Sequence, residues 1–249
     1  MKNNPLIHCT QLLAKHSTTS ELNLTAHAGN IISIIGQDQE SKSNLLKTIA
    51  AITEAESGHL YLAGREPTQF NQDDWVNTRT QFAYIHADTA ILSAANALQN
   101  LMLPAVYHHL GSSDDNMKKA QQLLHDIQAG ENLELLPAYL RKEQRYKIAV
   151  ARALMLNPQA LLLDSPFSAL ELTSIEPFQK FLLNQVKDRN ILLILVTHNV
   201  SFALKYSDQI IYLSGQQIFK FDKDKRIQDC TNAEINNYLS MLANNINSK

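Results

Sequence analysis

The apolar run "NIISIIG" ends at Gly36 and leads into "SKSNLLKTIAAI", where Leu45, Leu46, Ile49 and Ile52 recur at helical spacing. That change of period predicts a strand, a loop and a helix in succession. "GHLYLAG" and "FAYIHA" alternate like strands bounded by glycine or polar residues. Residues 94 to 156 read as mostly helical, broken by "HHLGSSDD" and "AGENLELLPAY", the first offering Ser112, Ser113 and Asp114 as helix N-caps. "QALLLDSP" and "NILLILVTHN" are continuous apolar runs of strand length separated by the helical stretch "SIEPFQKFLLNQVKDR". Strands apolar on both faces and joined by a helix predict a buried parallel sheet. "DQIIYLSGQQIFKF" predicts a closing hairpin, and residues 221 to 249 a polar helical tail. No repeat or low-complexity linker interrupts the pattern.

The loop between the first core strand and its helix, "GQDQESKSN", carries candidate chemistry. A phosphate-binding loop reads G-x-x-x-x-G-K-[ST], and Gly36, Lys42 and Ser43 occupy the required places, with Asn44 following. Ser41 replaces the second glycine, and the carboxylates Asp38 and Glu40 lie between. A helix N-terminus attracts anions through its free N–H groups. Against that, a serine held at positive φ costs ~1–2 kcal/mol, and each carboxylate beside a polyphosphate costs ~1 kcal/mol or more. The expectation is phosphate binding weakened or lost; the competing reading is an ordinary solvated helix start.

Composition narrows the classes. The chain has 249 residues, 45% of them hydrophobic, enough to bury a full core. A net charge of -2 with no basic block argues against a nucleic-acid partner. Cys9 and Cys230 stand far apart with no metal spacing, which fits a reducing cytosol. The start "MKNNPLIHCTQ" has no signal-peptide core, and runs such as "ILLILV" fall short of the ~18 apolar residues that suggest a membrane span, so the chain is expected to be soluble. Glycine is scarce, with 7 in the chain, which runs against a function resting on glycine-rich loops.

The order of elements, with Asp164 ending one apolar strand and His198 another, resembles the nucleotide-binding subunit of ABC transporters over nearly the whole chain. "LPAYLRKEQRYKIAVARALMLNPQALLLDSPFSALE" looks like the signature loop and helix, the second nucleotide motif and the D-loop of that family, at matching spacing. The resemblance implies a RecA-like P-loop NTPase α/β core with a parallel sheet, an antiparallel β subdomain and an α-helical subdomain. It further implies one nucleotide-binding domain over residues 1–220, with its helical subdomain at about 88–152 and a C-terminal tail at 221–249.

Residue by residue, the resemblance gives Lys42 to the β- and γ-phosphates of ATP, Ser43 and Asp164 to Mg²⁺, and His198 to the γ-phosphate. Gly36, Ser41 and Asn44 belong to the phosphate loop, and His16 is the nearest candidate for stacking on adenine. Several positions depart from the family. Ser165 stands where a glutamate activates water, Ala87 where a glutamine contacts metal and water in a loop facing the membrane partner, and "LRKEQ" where the signature reads "LSGGQ". Serine cannot take a proton from water at neutral pH, and losing a general base costs ~10²–10⁴-fold; as a plain structural residue, Ser165 would cap the turn before Pro166. Arg141 and Lys142 could supply cationic donors, or simply begin a solvated helix together with Glu143.

The expectation is therefore an ATPase-like subunit of a bacterial membrane transporter, with hydrolysis weak or absent. Its partners are a transmembrane permease and a second cassette subunit, as homodimer or heterodimer, on the cytoplasmic face of the inner membrane. The helical insertion "NALQNLMLPAVYHH" is similar to importer-like and lipid-handling subunits. A working transport ATPase and a soluble cassette protein acting outside transport are the competing readings.

Overall fold

A computed structural model describes residues 4–15, 19–129 and 133–223. Two compact units divide the chain, one of residues 1–70 with 192–249 and one of residues 71–191. The first unit holds an antiparallel sheet in the order β2-β1-β4, from β1 (Ile7–Ala14), β2 (Leu22–Ala26) and β4 (Ala55–Leu62). It also holds β3 (Ile31–Gly36), flanked by β7 (Leu192–Val196) and β8 (Gln209–Ser214) as parallel neighbours, with β9 (Gln217–Asp222) antiparallel to β8. Every residue of β3 and β7 is buried, as continuous apolar runs require of strands covered on both faces. The hairpin ends at Asp222, two residues inside the stretch read as a tail; beyond residue 223 that tail, and Cys230 with it, lies outside the described residues.

Two helices of this unit flank the strands. Helix α1 (Gln39–Ile49) follows β3, and α7 (Val200–Tyr206) follows β7, with Asn199 capping it through the Phe202 amide. Val200 and Ala203 pack with Ile35, Ile210 and Tyr212 in one buried cluster, and Phe219 and Phe221 of β9 cover it. In the antiparallel sheet, β1 bulges at Gln11, whose φ is 49° and whose N–H is accepted by Asn23 Oδ1 at 2.9 Å. Gly58 faces that bulge at φ +81°, where an added Cβ would lie 2.0 Å from the Gln11 carbonyl oxygen.

The second unit carries a parallel pair, β5 (Phe82–His86) with β6 (Ala160–Asp164), in register from Phe82 opposite Ala160 to His86 opposite Asp164. Its helices are α2 (Gln72–Gln81), α3 (Ala97–Tyr107), α4 (Ser113–Asp126), α5 (Lys142–Leu154) and α6 (Leu172–Arg189). Ser112 caps α4 through the Asp115 amide, and Asn96 and Gln99 form a reciprocal capping box on α3. Asn190, read from sequence as the head of a strand, instead ends α6 in a left-handed conformation at φ 55°, a role asparagine tolerates better than most residues because its short polar side chain can hydrogen-bond locally. The fully buried Asn100 ties down the segment before α3, donating to the carbonyls of Leu92, Ala95 and Asn96 and accepting from the Leu92 amide.

Gly58→Ala should cost roughly 1–3 kcal/mol, because a side chain at positive φ is strained and its Cβ must displace backbone. Urea denaturation with an unchanged slope and a lower midpoint is the expected result.

Candidate functional site

In the first unit the loop after β3 is built around a buried ammonium. Lys42 is fully buried, and its Nζ donates to the Gly36 carbonyl oxygen at 2.8 Å. Gly36 makes this possible with φ +146°; a Cβ there would sit 2.4 Å from the carbonyl oxygen of Leu213 on β8, so no other residue fits the strand's last position. The same Nζ lies 3.3 Å from Nε2 and 3.5 Å from Nδ1 of His198, beside the imidazole ring.

Gln39 closes the constellation. Its Oε1 is 2.8 Å from His198 Nε2, and its Nε2 donates to Ser43 Oγ at 3.0 Å. One assignment satisfies these bonds together: Nε2–H of a neutral His198 donates to Gln39, leaving Nδ1 to accept from Lys42. Burial, and then the Lys42 charge, hold the His198 pKa below its ordinary value. Gly36, Lys42, Ser43 and His198 are thus brought together, by a glutamine that sequence reasoning passed over. The signal available was its place in the loop, four residues before Ser43 on one helix face.

The expectation for Ser41 needs correction. Helix α1 begins at Gln39, so Ser41 is helical and pays no positive-φ cost. Asp38 is the N-cap, accepting from the Glu40 amide at 3.1 Å, the Ser41 amide at 3.2 Å and the Ser41 hydroxyl. Those bonds, the Ser41 hydroxyl foremost, together with the Lys42 charge, hold its carboxyl below the usual range. Asn44 is half-buried, and its carbonyl accepts from Thr48 Oγ1 at 2.9 Å. His16 lies outside the described residues.

In the second unit, Asp164 ends β6 fully buried. Its Oδ2 accepts from Tyr84 OH at 3.1 Å and its Oδ1 from Ser165 Oγ at 3.3 Å. Burial, reinforced by that carboxylate, pushes the Tyr84 phenol well above its usual value. Ser165 has φ 54° and makes no side-chain cap, so the capping expectation fails; its carbonyl instead accepts from the amide and hydroxyl of Ser168. Ala87 is buried, and its amide donates to the Asp164 carbonyl at 3.1 Å.

The "LRKEQ" segment is not uniformly a solvated helix start. Arg141 and Lys142 are exposed, and each forms an ion pair within the chain, with Glu171 at 2.8 Å and Asp88 at 2.6 Å. Glu143 is buried, paired with Lys147 at 2.7 Å, and accepts from Ser174 Oγ at 2.6 Å and the Glu171 amide at 2.8 Å. Burial opposes its ionisation, but the bonds from Lys147, Ser174 and Glu171 outweigh it and keep the carboxyl below the usual range. Among the described residues no helix is long and apolar enough to cross a membrane, and no cluster of three or more His, Cys, Asp or Glu side chains is placed to hold a metal ion.

The ABC transporter family profile matches residues 19–168. The chain belongs to the ABC transporter ATP-binding family. It is 30% identical over 200 residues to the macrolide export ATP-binding/permease protein MacB of Escherichia coli O157:H7 and of Shigella boydii, covering 80% of this chain and 30% of theirs. The chain therefore spans under a third of the length of these curated relatives. Its fold superposes on a dimeric ATP-binding cassette in a post-hydrolysis state bound to ADP and Pi, with TM-score 0.78 and 22% identity over 87% of this chain and 98% of that one. The ATP-binding subunit of another ABC transporter gives TM-score 0.80 and 21% identity over 96% and 99% of the two chains. The fold is the mixed α/β P-loop NTPase fold, with parallel and antiparallel sheet regions.

Binding of ATP with Mg²⁺ is typical of this family's fold. The Glu40 and Ser41 amides are taken by Asp38, and the Ser43 hydroxyl by Gln39.

His198 gives a pH signature. Because its folded pKa is depressed, the unfolded chain takes up the proton first as pH falls below about 6.5, and stability drops with it. His198→Gln should flatten the slope of unfolding free energy against pH between about 7 and 5.5. Lys147→Met strands a buried carboxylate and should cost about 3–5 kcal/mol. Adding Glu143→Gln to it should recover much of that loss in the same denaturation assay.

Proposed function

We propose that this chain is a cassette subunit of a bacterial membrane transporter that hydrolyses ATP weakly or not at all and serves a regulatory or structural role beside a permease. One observation carries the reading: Ser165, not a carboxylate, follows Asp164, and its hydroxyl donates to that aspartate. In this family the bound Mg·ATP supplies the phosphoanhydride whose cleavage drives transport. A serine so engaged cannot draw a proton from water. Lys42, Ser43, Asp164 and His198 would form the remaining nucleotide contacts, within a domain of residues 1–220 whose helical subdomain runs from about 88 to 152.

The permease partner is supported by an apolar groove of ≈ 560 Å³ in the second unit, lined among others by Trp75, Val76, Arg79, Leu103, Tyr107 and Arg152. Tyr107 is 70% exposed and Leu103 43%, and burial lowers the pKa of both arginines. A permease segment with apolar side chains and a carboxylate fits that chemistry. The relatives named above unite ATP-binding and permease functions by name, which favours such a partner and a peripheral position on the cytoplasmic face of the inner membrane. Pairing with a second cassette is supported by the dimeric cassette of the same fold.

The competing reading, a working transport ATPase, draws on the retained Lys42, Ser43 and His198. Phosphate release decides between them. Neither the purified chain nor its Ser165→Glu variant should release phosphate from Mg·ATP above background, since the signature is altered as well; brisk release by the unmodified chain would overturn the proposal. Leu103→Glu should leave the melting temperature unchanged while abolishing recovery with membranes that carry the permease.

A further inference from the structure

The contacts around α1 form a pattern that its parts do not show singly. Resting on the reading of this loop as a cassette's phosphate site, we propose that Gln39 and Asp38 are a built-in plug: their side chains occupy the places a polyphosphate would take and hold the loop closed against it. Gln39 spans from Ser43 Oγ at 3.0 Å to His198 Nε2 at 2.8 Å. Those are the two groups that the family resemblance gives to Mg²⁺ and to the γ-phosphate. A carboxamide bridges them because it offers one donor and one acceptor, as the hydroxyl and the neutral imidazole require.

Asp38 acts on the same loop. Its carboxylate accepts from the Glu40 and Ser41 amides and the Ser41 hydroxyl, donors that would otherwise face an incoming anion. A bound phosphate would have to break those charge-assisted bonds and then remain beside the displaced carboxylate. Lys42, buried and donating to Gly36, stays inside the closed arrangement. The plug differs from a missing catalytic base: it acts on binding, is made by two side chains, and can be removed with Lys42, Ser43 and His198 left in place.

The test uses the full chain with two probes, inorganic pyrophosphate with Mg²⁺ and Mg·ATP, read by the ligand dependence of the melting temperature and by calorimetry. The wild type should show no saturable shift with either probe. Gln39→Ala keeps a good helix former at the start of α1 and should bind pyrophosphate at least about tenfold more tightly than wild type. Asp38→Gly with Gln39→Ala should bind more tightly again. If loss of the N-cap prevents that double variant from folding, Gln39→Ala alone decides. Equal affinity in wild type and Gln39→Ala, whether tight or absent, overturns the plug. Phosphate release from Mg·ATP by the wild type would instead overturn the reading of a non-hydrolysing subunit, so the two failures are told apart.

Discussion

A buried ammonium organises the first unit. Lys42 is removed from solvent, and a cation so placed must be matched by acceptors or lose its proton. Its acceptors include the Gly36 carbonyl and Nδ1 of a neutral imidazole. Each sets a condition on the chain. The carbonyl is available because β3 ends in a backbone conformation pressed against β8, where only glycine fits. The imidazole must stay unprotonated, which ties the loop after β7 to the head of α1 through Gln39.

The start of α1 shows how a few residues set the physics of a loop without changing its place in the fold. Where a second glycine would let the loop wrap an anion, Ser41 permits helix from Gln39 onward. A helix that starts there exposes amides, and Asp38 is the residue type that satisfies them best. The carboxylate that looked like a repulsive intruder is therefore a local stabiliser.

How much was legible depends on whether a signal was local. The buried runs of β3, β6 and β7 and the hairpin of β8 and β9 follow from apolar continuity and alternation. Ser112 was readable because capping is a short-range bond. Helix α2 was not, since Thr78 is its single buried residue and its polar surface gives no helical stripe. Gln39 was invisible for a different reason: its meaning lies in His198, 159 residues away. Glu143 was misread because charge suggests solvent, whereas Lys147 one turn on and the head of α6 neutralise it in place.

Three regions share one physical feature. At the head of α1, at Asp164 and at Glu143, groups that could meet a ligand are met by the chain's own side chains: Asp38 and Gln39, Tyr84 and Ser165, Lys147 and Ser174. A ligand stabilises a fold only by the contacts it adds to the native state over those already made. When the donors are already satisfied, each new contact requires breaking an old one, and the gain shrinks to the difference between them.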